Sequence, residues 1–301
     1  MDTSKIYSDL LGILTSKMVL LPDKPEETPQ NTLEALWFFS CGQPMSIGSM
    51  DGASLPDLSE KTYQQLKGLI EQRIQGVPLA HLIGKKEFMG VDFWVDASAL
   101  IPRKETEILG FAALQKIMEA AKHIPVVNVI DVCTGMGNLA LAFATHVKNC
   151  HVGAADISDK AIELAKKNAR NLLLTDRTQF YAGDLLTPFQ KEEYFNTIDV
   201  LTCNPPYISS GKLQKMPHEI IDFEPEEAFN GGPFGLNIIL RLIKEAVPLL
   251  KDKGWLCFEV GLGQGEGIIR IMERNKNYKQ IESARDEDGN VRAILARVDK
   301  S

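Results

Sequence analysis

The stretch that sets the fold reads Thr197-Ile198-Asp199-Val200-Leu201-Thr202-Cys203-Asn204-Pro205-Pro206-Tyr207. Its apolar first part predicts a strand that is buried on both faces, as the strands of parallel sheets are. The two prolines end this strand, because neither can donate a ladder hydrogen bond and each fixes its own φ. The sequence therefore predicts a rigid corner at the carboxyl end of a strand, which is where open α/β sheets bind their ligands.

The corner carries groups that suit a planar NH2 group. The side-chain oxygen of Asn204 and the carbonyl of Pro205 are two hydrogen-bond acceptors held at a fixed spacing. Together they can hold both N–H bonds of an NH2 group and leave its nitrogen lone pair aimed away from them. Tyr207 offers a flat face on which a planar group can stack. We interpret Asn204, Pro205 and Tyr207 as catalytic residues, and these three with Pro206 as substrate contacts. A turn that merely ends the strand is the alternative.

Residues 108–301 alternate predicted strands and helices, the pattern of a mostly parallel sheet. The candidate strands are Val126–Asp131, Val152–Asp156, Gln179–Gly183, Ile198–Cys203, Trp255–Val260, Ile281–Asp286 and Val291–Arg297. Asp288-Gly289-Asn290 predicts a hairpin turn between the last two, and Ser158 is the expected N-cap of the helix after the second strand. We therefore expect an α/β domain over residues 108–301.

The tetrapeptide Asn204–Tyr207 resembles the signature of S-adenosylmethionine-dependent methyltransferases that act on planar NH2 groups. These enzymes include adenine-N6 DNA methyltransferases and the protein-(glutamine-N5) methyltransferases that modify peptide chain release factors. The resemblance implies S-adenosylmethionine as the cofactor. It also implies the class I methyltransferase fold, a Rossmann-like, mostly parallel seven-stranded sheet closed by an antiparallel hairpin.

The loop after the first predicted strand resembles the glycine-rich cofactor loop of these enzymes. Gly135 and Gly137 let the backbone approach a ligand, although two glycines do not complete a dinucleotide fingerprint. Cys133 stands where the family has its first glycine, and cysteine resists the positive φ that glycine accepts. The resemblance implies that the cofactor contacts in this loop are Cys133, Thr134, Gly135, Met136 and Gly137.

The next strand ends add polar groups to the same predicted site. Asp156 closes the second strand, where a carboxylate can accept from both hydroxyls of a ribose. The resemblance implies that Asp184 accepts from the adenine amino group and that Leu185 packs on the base. Asn204, on the fourth strand end, is expected to border both the cofactor and the substrate.

Residues 1–80 predict a small helical domain. Apolar residues at helical spacing indicate helices over Lys5–Leu21 and Thr32–Phe39, and Ser59 caps a third helix that runs to about Gln75. The segment Gln43–Asp57 is rich in proline, glycine and serine and predicts a loop. We expect this domain either to dock the substrate or to act as a lid.

Residues 81–107 predict a linker with a hairpin over Lys86–Val95. This passage resembles the linker of the glutamine methyltransferases, which adenine DNA methyltransferases lack, and the resemblance makes Phe88 a wall of the substrate pocket. Two later segments, residues 223–236 and residues 259–264, extend the resemblance. One departure is Glu226, at a position where the family commonly has arginine.

Composition argues against a nucleic-acid-binding protein, a disulfide-bonded protein and a membrane-spanning protein. The net charge of −7, the pI of about 5.4 and the lack of a long basic run argue against direct binding to nucleic acid. The five cysteines include no Cys-x-x-Cys pair, so we expect free thiols, no metal and a cytoplasmic location. No apolar run is long enough to suggest a membrane span.

We therefore expect an N-methyltransferase whose partner is a peptide chain release factor and whose target is a glutamine side-chain amide. Three alternatives stay open at this point. A family relative could use the cofactor on a small-molecule amine or amide in a biosynthetic pathway. An adenine-N6 DNA methyltransferase and a non-catalytic cofactor-binding protein are more distant readings.

Overall fold

The computed structural model describes residues 3–213, 219 and 222–300, and it divides the chain into two compact units. The first unit holds the described residues of 1–97, 101–103 and 217–224. The second holds residues 98–100 and the described residues of 104–216 and 225–301. A short piece from the later half of the chain thus belongs to the first unit.

The first unit is helical and ends in a hairpin, as its sequence predicts. Its helices are α1 (Thr3–Lys17), α2 (Pro29–Ser40), α3 (Glu60–Ile74) and α4 (Leu79–Ile83), with a 3-10 turn at Ile47–Met50. The predicted hairpin forms from β1 (Lys85–Phe88) and β2 (Val91–Trp94). Ser59 caps α3 in a capping box with Thr62, which satisfies two backbone groups at the helix start. Trp37 and the leucines of α1 to α3 form its apolar core.

Charged side chains lie buried in the first unit and pair with one another. Arg73 donates to Glu219 Oε2 at 2.9 Å and to Glu27 Oε2 at 3.0 Å. Lys24 Nζ lies 2.6 Å from the other carboxylate oxygen of Glu219. Each of these four side chains is at most 7% exposed, so each charge depends on its partners rather than on water. Glu219 is thereby held in the first unit.

The second unit contains the predicted α/β sheet. Its strands are β3 (Val127–Val132), β4 (Cys150–Asp156), β5 (Thr178–Ala182), β6 (Ile198–Cys203), β7 (Leu250–Glu259), β8 (Tyr278–Arg285) and β9 (Val291–Val298). Its helices are α5 (Thr106–Ala121), α6 (Asn138–His146), α7 (Asp159–Asn171), α8 (Ser210–Leu213), α9 (Asn237–Glu245) and α10 (Gly265–Glu273). Ser158 caps α7, as predicted, by accepting from the Ala161 N–H.

The seven strands lie in the order β5-β4-β3-β6-β7-β9-β8. Neighbours from β5 to β7 pair in parallel, and β9 is antiparallel to both of its neighbours. The strand order reverses at β3, which lies between β4 and β6. Such a switch point opens a crevice at the carboxyl ends of the strands, which is where ligands bind in this architecture. The predicted fold class is confirmed.

Within the described ranges, every helix is too short or too polar to span a membrane.

Candidate active site

Asn204 follows β6 directly and is held by its side-chain nitrogen. Its Nδ2 donates to Thr106 Oγ1 at 3.2 Å, and Thr106 is the buried first residue of α5. Because the amide nitrogen is turned toward the helix, the amide oxygen lies on the other side of the group as an acceptor. This is the orientation that the predicted role of Asn204 requires.

Tyr207 is fixed by hydrogen bonds at both its side chain and its backbone. Its hydroxyl donates to Glu259 Oε1 at 2.9 Å, and its carbonyl accepts from Gln264 Nε2 at 3.1 Å. Burial, and next to it the negative charge of Glu259, raise the pKa of Tyr207 well above its usual value. The phenol therefore stays neutral and acts as a donor to Glu259. The sequence predicts the stacking face of Tyr207 but not this anchor.

Glycines let a second loop pack against the corner backbone. A Cβ on Gly235, whose φ is +70°, would lie 2.1 Å from the carbonyl oxygen of Tyr207. A Cβ on Gly231 would lie 2.5 Å from the carbonyl oxygen of Pro206. The N–H of Ile208 donates to Phe229 O at 3.0 Å, and the carbonyl of Ile208 accepts from Gly231 N at 2.9 Å. Residues 229–235 therefore hold the end of the corner in place.

The loop after β3 adopts left-handed backbone at three positions. The φ values are 54° at Cys133, 54° at Gly135 and 83° at Gly137. Cys133 thus takes the conformation that a glycine would, despite its Cβ. The backbone is held by Thr134 N donating to Ala155 O at 3.0 Å. The loop therefore stays tight and left-handed although this chain has Cys133 where the family has a glycine.

Two carboxylates accept hydrogen bonds from this loop and hold it in place. Asp156 accepts from Gly135 N at 2.8 Å and from Ser158 N at 3.0 Å. Asp131, which sequence analysis did not single out, is fully buried and accepts from the hydroxyls of Thr134 and Thr202, each at 2.6 Å. Burial raises the pKa of Asp131 to about 6, although both hydroxyls oppose this shift. Asp131 joins β3, β6 and the loop into one rigid base.

The structure gives the remaining predicted residues other surroundings. The carboxylate of Asp184 pairs with Arg241, at 2.9 Å for the shorter contact. Leu185 has a φ of 51° and is buried in the core of the second unit. Phe88 belongs to the hairpin of the first unit and is 1% exposed. The cofactor contacts of Asp184 and Leu185, and the role of Phe88 as a pocket wall, stay predictions.

The residues at the strand ends fit a nucleoside-bearing cofactor. The left-handed loop after β3 brings backbone within reach of a ligand without intervening side chains. Both carboxylate oxygens of Asp156 accept from backbone N–H groups, and the lone pairs that remain on the carboxylate can accept from a hydroxyl. Ile157, next to it, is 66% exposed and offers an apolar surface.

Comparison with known proteins points to one kind of enzyme. A family model described as a methyltransferase domain matches residues 125–297. A release factor glutamine methyltransferase of Bacillus cereus is 33% identical over 245 residues, which cover 81% of this chain and 84% of that protein. The enzyme of the same name from Bacillus subtilis is 31% identical over 272 residues, 90% of this chain and 92% of that protein.

Solved structures share the fold at low identity. The N-terminal domain of human METTL16 superposes with a TM-score of 0.54 at 15% identity, covering 93% of this chain and 98% of that one. The hMettl16 catalytic domain in complex with MAT2A 3'UTR hairpin 1 gives a TM-score of 0.55 at 16% identity, covering 77% of this chain and 83% of that one. At such identities the likeness extends to the fold alone.

Proposed function

The chain belongs to the release factor glutamine methyltransferases, and on that premise we propose that it methylates the side-chain amide nitrogen of a glutamine in a peptide chain release factor. The enzyme is an S-adenosylmethionine-dependent N-methyltransferase. One observation carries the proposal at the level of atoms: Asn204 turns its nitrogen to Thr106 and keeps its oxygen for an NH2 group.

Methyl transfer to a side-chain amide needs catalysis because an amide nitrogen is a poor nucleophile. Its lone pair is delocalised into the carbonyl. Asn204 Oδ1 and the Pro205 carbonyl would accept the two N–H bonds, favour a more pyramidal nitrogen and aim the lone pair. Bound S-adenosylmethionine supplies a methyl group on a positively charged sulfur. Holding the two reactants in near-attack geometry can contribute about 7–11 kcal/mol.

The corner has no strong general base among Asn204, Pro205, Pro206 and Tyr207. The proton is expected to leave late, after methyl transfer has made the nitrogen acidic. Tyr207, held neutral by its raised pKa, would stack on the planar amide rather than take the proton. Catalysis by this site is therefore mostly a matter of position.

The other readings of the sequence are less well supported. The Bacillus cereus and Bacillus subtilis relatives, which match over 81% and 90% of the chain, are both named release factor glutamine methyltransferase rather than small-molecule or DNA methyltransferase. The net charge of −7 also opposes a polyanionic substrate. The RNA-bound structural neighbour shares the fold only.

The experiment that tests this function is intact-mass analysis of a purified release factor. Incubated with the full chain and S-adenosylmethionine, the release factor should gain the mass of one methyl group. A release factor whose target glutamine is replaced by alanine should gain no methyl group in the same incubation. An unmodified release factor in the presence of enzyme with bound cofactor would reject the assignment.

We propose that Asp156 holds the ribose of the cofactor. Asp156→Ala is expected to weaken S-adenosylmethionine binding by about 1.5–3 kcal/mol, since hydrogen bonds to a charged acceptor are lost. Isothermal titration calorimetry measures the change. Asp159, an exposed acid and the first residue of α7, provides the matched control, and Asp159→Ala should bind as the wild type does. Unchanged affinity in Asp156→Ala would mean that the ribose is held elsewhere.

We propose that the first unit docks the body of the release factor. Two apolar side chains after α1, Val19 and Leu20, are 70% and 61% exposed. Replacing both with serine should raise KM for the release factor about fivefold or more, as the loss of about 1 kcal/mol at an interface does. Cofactor affinity should not change. Leu173, 85% exposed beyond the end of α7, supplies the control Leu173→Ser. A fall in kcat at constant KM would favour a lid instead.

The chemistry of the cysteines supports a cytoplasmic location, which we propose for the reaction. All five are free thiols, and three of them, Cys150, Cys203 and Cys257, are buried. Free, buried thiols are typical of proteins that work in a reducing compartment.

A further inference from the structure

A buried carboxylate lies beneath the corner. Glu259, the last residue of β7, is 1% exposed. Its Oε1 accepts from the Tyr207 hydroxyl at 2.9 Å. Its Oε2 is buried and makes no hydrogen bond to any residue that the structure describes. An acceptor left open in the interior is costly, so this oxygen requires an explanation.

Thr106 supplies the complementary group. Its Oγ1 accepts from Asn204 Nδ2 at 3.2 Å, and a hydroxyl that accepts keeps its own proton to donate. The Thr106 hydroxyl lies beside the Glu259 carboxyl, close enough to lower the pKa of that carboxyl. The Thr106 hydroxyl thus has a proton to donate, and the carboxyl beside it has one oxygen without a donor.

We propose that Glu259 is a positioning residue, which acts on the substrate amide through Thr106 and Tyr207. As a carboxylate it accepts hydrogen bonds only, so both hydroxyls turn their protons toward it. Thr106 then presents a lone pair to Asn204 Nδ2, and Asn204 Oδ1 is left for the substrate N–H. The inference rests on the proposed function, since it assigns how that site is oriented.

The alternative orientation shows why this matters. Hydroxyls can donate or accept, and an amide can turn over by rotating about its last bond. Turned over, Asn204 would present its NH2 group to the NH2 group of the substrate, and two donors would face each other. Glu259 excludes this arrangement because an ionised carboxylate cannot donate. One buried charge thus sets how the Tyr207 hydroxyl, the Thr106 hydroxyl and the Asn204 amide are turned.

The charge on Glu259 depends on pH within the working range. Burial raises its pKa to about 7. Thr106, Tyr207 and the positive charge of Arg292 lower the pKa, and Glu105 raises it. Below about pH 7 the carboxyl gains a proton and becomes a donor, so the orientation of Thr106 and Asn204 is no longer fixed. The rate of methylation should therefore rise with pH through about 7.

Glu259→Gln tests the proposal in the full chain with a release factor and S-adenosylmethionine. Glutamine keeps the shape but adds an NH2 group, which must donate to one of the two hydroxyls. We expect kcat to fall about tenfold or more, with cofactor affinity by calorimetry unchanged within about threefold. The rise of kcat near pH 7 should disappear. Glu282→Gln, at a half-exposed acid of β8 that pairs with Lys116, is the matched control and should behave as the wild type.

A second pair of variants keeps the test decisive if Glu259→Gln does not fold. Thr106→Val removes the hydroxyl at nearly constant shape and should lower kcat as Glu259→Gln does, whereas Thr106→Ser should recover most of the rate. Normal kcat with an unchanged pH profile in Glu259→Gln, or normal kcat in Thr106→Val, overturns the positioning role alone. A wild-type enzyme that leaves the release factor unmodified rejects the proposed function together with this role.

Discussion

Asn204→Ala is expected to lower kcat for release factor methylation at least ~100-fold, the scale on which loss of one oriented polar group acts in a catalytic site. The side chain supplies one of the two acceptors for the substrate NH2 group, and alanine supplies none. Cofactor affinity should stay within a few-fold of the wild type. Single-turnover rates and calorimetry on the same preparation measure the two quantities separately.

Asn204→Asp is the informative companion to this variant. A carboxylate still accepts, but it loses the donor that binds Thr106 Oγ1 and brings a negative charge beside the positively charged sulfur. We expect slow methylation with no loss of cofactor affinity. Near-normal turnover in the alanine variant would contradict the role assigned to Asn204.

Gly235→Ala is expected to reduce activity by a comparable factor without touching a reacting group. The added Cβ would lie 2.1 Å from the Tyr207 carbonyl oxygen, and backbone cannot give way as a flexible side chain can. The loop must move, and Tyr207 and the Pro205 carbonyl move with it. A displacement of about 1 Å in a positioned site can cost about 100-fold in rate.

Gly263→Ala separates this clash from ordinary backbone strain. Gly263 has a φ of +81°, close to the +70° of Gly235, but no atom lies within 4 Å of an added Cβ. Its variant should lose about 1 kcal/mol of stability and keep most of its activity. Equal activity losses in the two variants, compared at equal fractions folded, would show that strain rather than the contact with Tyr207 is responsible.

The strands and the corner could be predicted from sequence because their signals are local. β6 begins and ends where the apolar run predicts, at Ile198 and Cys203. β7 begins at Leu250, five residues before the predicted start, since the polar run Lys251-Asp252-Lys253 carries no strand pattern. Pairing of Leu250 with Ile198 on β6 adds the extra length. Periodicity thus locates a strand, whereas its ends depend on its neighbours.

The supports of the site could not be predicted because they are distant in sequence. Thr106 lies 98 positions from Asn204, and Glu259 lies 52 positions from Tyr207. Glu259 belongs to a segment that resembles the family, yet the sequence around it does not indicate which residue it forms a hydrogen bond with. Cys133 illustrates a different limit: residue preference argues against a positive φ, and the surrounding contacts impose it.

The ion pairs of Glu219 bear on how such a chain can change over generations. Lys24 and Arg73, which neutralise Glu219, lie 195 and 146 positions before it. A buried acid stripped of its partners costs about 3–5 kcal/mol. Gene fusion or fission that exchanged the amino-terminal unit at a single breakpoint would leave this acid behind in the catalytic half. A recombinant between relatives that exchanges only the amino-terminal unit would therefore need a compensating change at Glu219 to stay stable.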